Sequence, residues 1–187
     1  IVNDNPYSFI LNDKPLSIFN IEGAKDIAIE MNSLSKSHNM PGWRIGMLAS
    51  NPTFIQWILT VKSNIDSGQF RPMMKAAIEA LKQGQGWYDD VNSTCAKRRL
   101  VAGEIRSTLG CRFDPKQSGL FLWGRIPNDA ASSEALADDI LYNARVFITP
   151  GFIFGSNGDR YIRISLCATE EKMNEALNRI KQLVNNQ

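Results

Sequence analysis

The sequence predicts an α/β chain organised as two lobes. Its first half alternates short apolar runs with helical patterns, the arrangement that stacks strands and helices into layers. Its second half reads as a small α+β unit of short strands and helices, closed by a well-patterned amphipathic helix. Between them lies a long polar-rich helical stretch over 90–109, and the change of pattern falls inside it, near 92–103. A chain of 187 residues is long enough to bury a sizeable core, and 43 % hydrophobic with 21 % charged residues is ordinary for a globular protein.

The elements follow in order. "IVND" reads as the end of a strand. "DIAIEMN" (26–32) alternates Ile27, Ile29 and Met31 with Ala28, Glu30 and Asn32, a strand signal, and "RIGMLAS" (44–50) is a second short apolar run. Asn51-Pro52 opens a helix through 62, with Pro52 at a position that a helix start tolerates. Met73, Ala76, Ala77, Ala80 and Leu81 form one stripe of a helix over 72–82, which "GQGW" breaks through Gly84 and Gly86. Beyond Gly110, which stops the long helix, "SGLFLWGRI" is a strand, 133–144 a helix, and "VFITP" and "DRYIRISLC" are strands. In the last helix Thr169 caps, Glu170 and Glu171 suit the positive end, and Met173, Ala176, Leu177, Ile180, Leu183 and Val184 share one face.

Composition narrows the function classes. A net charge of +2 supplies no basic stripe for phosphates, so no nucleic acid is expected. No apolar run reaches the roughly 18 residues of a membrane span, and no signal-peptide pattern is visible. Three scattered cysteines predict reduced thiols and a cytoplasmic setting. His38, the sole histidine, leaves no multi-histidine metal site, so no metal is expected. It reads as a packing or solvent-facing loop residue. Trp43 and Trp57 are expected to fill core, Trp123 to belong to the second-lobe sheet, and Arg98 and Arg99 to form the solvated face of the long helix.

The stretch with chemical content is "SLSKSHNMPGWRIG" (33–46). A lysine with a pKa near 10.4 is a poor nucleophile at neutral pH, and an aldehyde cofactor overcomes this by forming a Schiff base. Such cofactors carry a phosphate, which needs hydroxyls and a guanidinium fork, and Ser33, Ser35 and Arg44 have those chemical types beside Lys36. By spacing alone the motif is weak, and the stretch reads more readily as a polar loop with a surface lysine and a structural arginine.

This segment resembles the cofactor-lysine segment of class I/II aminotransferases, the fold type I enzymes of pyridoxal 5′-phosphate (PLP). The pattern Ser-x-[Ser/Thr]-Lys, then Gly-x-Arg-x-Gly, is matched by Gly42, Arg44 and Gly46. The resemblance implies that Lys36 holds the cofactor as a Schiff base while Ser33 and Arg44 hold its phosphate; Ser35 has the weaker claim. Upstream, "NDNPY" reads alone as a turn but resembles the family's Asp-x-x-Tyr pair, implying that Asp4 faces the pyridine nitrogen and Tyr7 the phenolic oxygen. Residues 62–81 resemble the branch of broad aspartate and LL-diaminopimelate aminotransferases. In "VFITPGFIFGSNGDRYIRISL", Pro150, Gly151, Phe154, Gly155, Gly158 and Arg163 match the small-domain pattern, implying that Arg163 clamps the substrate carboxylate. Arg160 keeps open the alternative of a surface-paired strand arginine, and Arg71 stays outside the site.

The resemblance implies the C-terminal part of a PLP-transferase-like large domain (a mostly parallel sheet with helices) over 1–95 and a small α+β domain over 96–187. It implies a homodimeric cytoplasmic enzyme moving an amino group between an L-amino acid and a 2-oxo acid. The family's N-terminal half carries a glycine/serine phosphate cup, a ring-stacking aromatic residue and an asparagine near the phenolic oxygen. None is found here, so the chain is expected to be the C-terminal half and inactive alone. A PLP-dependent C–S lyase and a non-catalytic sensor domain of a regulator are the alternatives on the same scaffold.

Overall fold

The computed structural model describes residues 1–186, which form two compact units, Ile1–Asp90 and the residues from Val91 onward. In the first unit a three-stranded sheet is built from β1 (Val2–Asp4), β2 (Ile29–Ser33) and β3 (Gly46–Ser50), in that order. The β1–β2 pairing is parallel, matching Val2 to Ile29 and Asp4 to Met31. The β2–β3 pairing is antiparallel, running from Ile29–Ser50 to Ser33–Gly46.

The expected strand over 26–32 begins later than its alternation suggests. A helical turn, α1 (Ala24–Ile27), follows Gly23, whose φ of 77° is the left-handed conformation that glycine adopts without strain. Ile27 is therefore exposed, while Ala28 is fully buried. A second single turn, α2 (Leu34–Ser37), grows directly from the end of β2.

Two longer helices follow β3. In α3 (Pro52–Ile65) the Asn51 side chain accepts from Phe54 N–H at 3.0 Å, and Pro52 occupies the first helical position. In α4 (Arg71–Leu81) Met73, Ala77 and Ala80 pack against Leu34 and Ile45. The α4 stripe thus covers the loop that carries α2, although Leu81 stays exposed. Trp43 and Trp57 do not fill core: they are 46 % and 62 % exposed. Trp57 lies on α3, which buries no residue, and its ring meets the neighbouring Phe54 ring at 5.4 Å.

The long helix α5 (Gln85–Thr108) begins at Gln85 rather than at the expected Asp90, and takes Gly86 into its first turn. A helical glycine costs about 1 kcal/mol relative to alanine. In the second unit β4 (Phe121–Arg125), β5 (Thr149–Pro150) and β6 (Tyr161–Ser165) form an antiparallel sheet with β6 central. The strand expected over "VFITP" shrinks to its last two residues, following a helical turn that ends at Ala144 with Arg145 in the left-handed conformation. The helix over 133–144 divides into α6 (Ser133–Asp139) and a π-helical turn (Ile140–Ala144). In α7 (Glu170–Asn185) Thr169 caps as expected, and Met173, Leu177 and Ile180 are buried with Ile105, Leu122, Ile162 and Leu166 among the buried core residues.

Arg98 and Arg99 are not a solvated face. Both are half-buried: Arg98 Nη1 donates to Leu166 O at 3.1 Å, and Arg99 donates to Pro115 O. Burial also lowers the Arg106 pKa to about 10 and raises the Cys111 thiol to about 11. Arg106 lies on the Phe113 ring face, 3.0 Å from its centroid. No helix among the described residues is long and apolar enough to cross a membrane, and no group of three or more His, Cys, Asp or Glu is placed to hold a metal.

Candidate functional site

The two segments singled out in the first unit leave the sheet side by side. β1 and β2 run parallel, so Asp4 at the end of one and Ser33 at the end of the other emerge at the same edge, where open α/β sheets bind ligands. Asn5 N–H donates to Met31 O at 2.9 Å, which carries the pairing one step past Asp4. No local pattern in either segment announces this pairing.

At the end of β2 the chain turns into α2. Ser33 is the N-cap, its Oγ accepting from Ser35 N–H at 3.1 Å and donating to Ile45 O at 3.4 Å. Leu34 is buried in the Ile45–Ala77 cluster and fixes which side of the turn faces inward. Lys36 is then half-buried, with its Nζ 5.7 Å from the Tyr7 ring centroid. Among the described residues neither the Lys36 ammonium nor the Asp4 carboxylate has a hydrogen-bond or ion-pair partner.

The loop after α2 returns through a 3-10 turn, Pro41–Trp43, to Arg44, which is exposed and left-handed at φ 53°. Arg44 Nη1 donates to Pro41 O at 2.8 Å, leaving the rest of its fork without a protein partner among the described residues. Gly46 is required by close approach: a Cβ there would lie 2.8 Å from Asn32 O.

These donor types fit PLP. The aldehyde needs an amine, the ring nitrogen a carboxylate, the phenolic oxygen a hydroxyl, and the phosphate hydroxyls and a guanidinium. Lys36, Asp4, Tyr7, Ser33 and Arg44 supply one of each kind. Ser33 already serves its cap, but its donated bond is long at 3.4 Å, so its proton can turn to a phosphate at small cost. The Ser35 hydroxyl has no partner among the described residues.

In the second unit Arg163 lies on β6 opposite Trp123 of β4 and Thr149 of β5. Its guanidinium carbon is 4.3 Å from the ring centroids of both Phe121 and Phe154. This aromatic bracket fixes the guanidinium plane and leaves its N–H edge without an acceptor among the described residues. Arg160 is committed elsewhere, donating to Ala130 O at 2.7 Å and to Pro127 O. Trp123 stacks on Tyr161 at 5.3 Å, as a member of the sheet. Gly151 and Gly158 of the motif touch each other: a Cβ on Gly151 would meet Gly158 O at 2.3 Å.

His38 is a packing residue. It is 6 % exposed, its Nδ1 lies 2.9 Å from Ser37 Oγ, and burial lowers its pKa. Trp87 and Tyr88, which pack on it, were not legible as site neighbours; the only signal was an aromatic pair directly after the glycines at 84 and 86.

The family model for aminotransferase class I and II matches residues 2–180. The chain belongs to that family. It is 36 % identical over 186 residues to an LL-diaminopimelate aminotransferase of Nitratidesulfovibrio vulgaris, covering 98 % of this chain and 48 % of that protein. The corresponding protein of Aquifex aeolicus is 37 % identical over 185 residues, with the same coverage. Among solved structures, apo-BacF from Bacillus subtilis superposes with a TM-score of 0.88 at 30 % identity, over 97 % of this chain and 47 % of that one. An aromatic aminotransferase from Pyrococcus horikoshii gives a TM-score of 0.89 at 26 % identity, over 99 % and 50 %. The chain thus has the fold of the C-terminal part of a PLP-transferase-like domain, and spans about half the length of the relatives it matches.

Proposed function

We propose that the protein carrying this chain is a PLP-dependent aminotransferase that moves an amino group between an L-amino acid and a 2-oxo acid, with Lys36 as its Schiff-base lysine. One observation carries the reading: the parallel ends of β1 and β2 bring a half-buried Lys36 ammonium, without a protein anion among the described residues, over the Tyr7 ring, with the unpaired Asp4 carboxylate on the neighbouring strand.

When bound, PLP supplies an aldehyde that takes up amino groups and a protonated ring that accepts electrons. Asp4 would keep the proton on the ring nitrogen, because a carboxylate beside a pyridinium favours the charged form. The Tyr7 hydroxyl would bond the phenolic oxygen. Ser33 and Arg44 would hold the phosphate, the arginine through charge-assisted bonds. Lys36 would hold the cofactor aldehyde through its amine, and the same amine, when free, would serve as the base that takes the proton from the substrate Cα. Arg163 would receive the substrate α-carboxylate on its free N–H edge in a bidentate pair.

The chain spans about half the length of the relatives it matches, so the activity is proposed for a full-length protein, as a cytoplasmic homodimer, with the chain alone inactive. Replacing Lys36 with Ala in the full-length protein abolishes transamination on this reading. Normal turnover in that variant would sink it.

A further inference from the structure

We propose that Trp87 and Tyr88, in the first turn of α5, are positioning residues for Lys36: they hold the turn carrying Lys36 and the segment carrying Tyr7 in one fixed relation. The proposal rests on Lys36 being the cofactor lysine and adds to it what sets the lysine's place.

A four-residue helix has no stability of its own, because nucleation costs more than one turn returns. α2 is such a helix, and its last carbonyls need partners from outside. Trp87 supplies one. Its Nε1–H, the only donor of an indole, bonds Ser37 O at 2.9 Å, on the residue directly after Lys36. The indole also stacks on the His38 ring at 6.4 Å with the planes 14° apart.

Tyr88 acts on both segments. Its hydroxyl lies 3.4 Å from His38 Nε2, and its ring meets the His38 ring edge-on at 5.6 Å. The same ring lies 5.4 Å from Phe9, two residues after Tyr7. The polar contacts run on through the turn. Ser37 Oγ lies 3.3 Å from Ser33 O and 2.9 Å from His38 Nδ1. With the Ser37 proton directed at Ser33 O, Nδ1 donates to Ser37 Oγ and Nε2 accepts from the Tyr88 hydroxyl. A continuous chain of contacts therefore links the start of α5 to the cap residue of the Lys36 turn. All of these residues lie in the first compact unit.

With the contacts in place, Lys36 Nζ sits 5.7 Å from the Tyr7 ring centroid. Neither Trp87 nor Tyr88 needs to touch the cofactor. Loss of either leaves the lysine present but wrongly set, and errors of about an ångström in placement cost up to about a hundredfold in rate.

The test uses the full-length protein loaded with PLP and the variants Trp87→Phe and Tyr88→Phe. The readouts are cofactor content, the pH midpoint of the visible absorbance change of the lysine-bound cofactor, and kcat and KM separately. The expected result is unchanged cofactor content, a midpoint moved by about half a pH unit or more, and kcat down about tenfold with KM for the amino donor nearly unchanged. Tyr88→Phe, which removes one oxygen, should shift both quantities in the same direction by less; it decides the matter if Trp87→Phe does not fold. Wild-type midpoints and kcat in the folded variants overturn the proposal, provided that borohydride reduction of the wild-type protein still fixes the cofactor on Lys36. Reduction that fixes it on another residue overturns the assignment of Lys36, and the positioning role with it.

Discussion

Replacing Gly46 with Ala probes the Lys36 turn at its tightest point. Gly46 pairs with Ser33, and a Cβ built there falls 2.8 Å from Asn32 O, closer than real Cβ atoms approach, and 3.8 Å from Ser33 Cα. Both neighbours are backbone, so β3 must back away from β2. The retreat stretches the bonds that tie the turn to β3: Leu34 N–H to Ile45 O at 3.2 Å and Ser33 Oγ to the same oxygen at 3.4 Å. Overpacking of this kind costs about 1–3 kcal/mol, and disturbing an N-cap adds about 1 kcal/mol. Because the two effects share Ser33 they need not add, so about 2–3 kcal/mol is the expected loss. Gly42 is the control: no atom lies within 4 Å of a Cβ placed there, so Gly42→Ala should stay within about 0.5 kcal/mol of the parent. Urea unfolding of the full-length protein, followed by tryptophan fluorescence, measures both. Equal midpoints for the two alanine variants would refute the packing argument.

Gly151→Ala should be more damaging still, since its Cβ would meet Gly158 O at 2.3 Å, Tyr161 O at 2.6 Å and Trp123 Cη2 at 2.9 Å; near-UV circular dichroism should lose the Trp123–Tyr161 signal. Arg163→Lys keeps the charge but loses the bidentate fork, so kcat/KM for the amino donor should fall roughly 10–100-fold, equivalent to about 1.5–3 kcal/mol. His38 is held neutral by burial, with its folded pKa below the usual 6.5. Below that value the unfolded chain binds a proton that the fold refuses, so this contribution to stability is complete above about pH 6.5 and is lost as pH falls toward the folded pKa. The slope is at most about 1.4 kcal/mol per pH unit for one proton, and unfolding midpoints of His38→Phe measured across pH 5–8 should lack it.

Periodic segments were readable because one side of each faces the core. Met73, Ala77 and Ala80 of α4 and Met173, Leu177 and Ile180 of α7 appear on the faces that their spacing assigns. Hydrophobicity misplaced Trp43 and Trp57, because an aromatic side chain carries no mark of which surface covers it. Arg98 misled in the opposite sense: its charge suggested solvent, while its guanidinium ties α5 to the Leu166 carbonyl. In the candidate site the Lys36 segment and Arg163 were legible as motifs, and the structure adds that Arg160 is spent on carbonyls while Arg163 is not. What no local pattern holds is the parallel pairing that brings Asp4 and Ser33 out at one sheet edge, the approach of Lys36 to the Tyr7 ring, and the contact of Trp87 with Ser37 across fifty residues.

The most direct measurement is the location of the cofactor on the chain. Full-length protein loaded with PLP is reduced with borohydride, digested with trypsin and analysed by mass spectrometry. Trypsin does not cut after a modified lysine, so Lys36 as the anchor predicts a single labelled peptide spanning 26–44, with the reduced cofactor on Lys36. A label on any other lysine, or an unlabelled 26–36 peptide from fully reduced protein, would contradict the assignment.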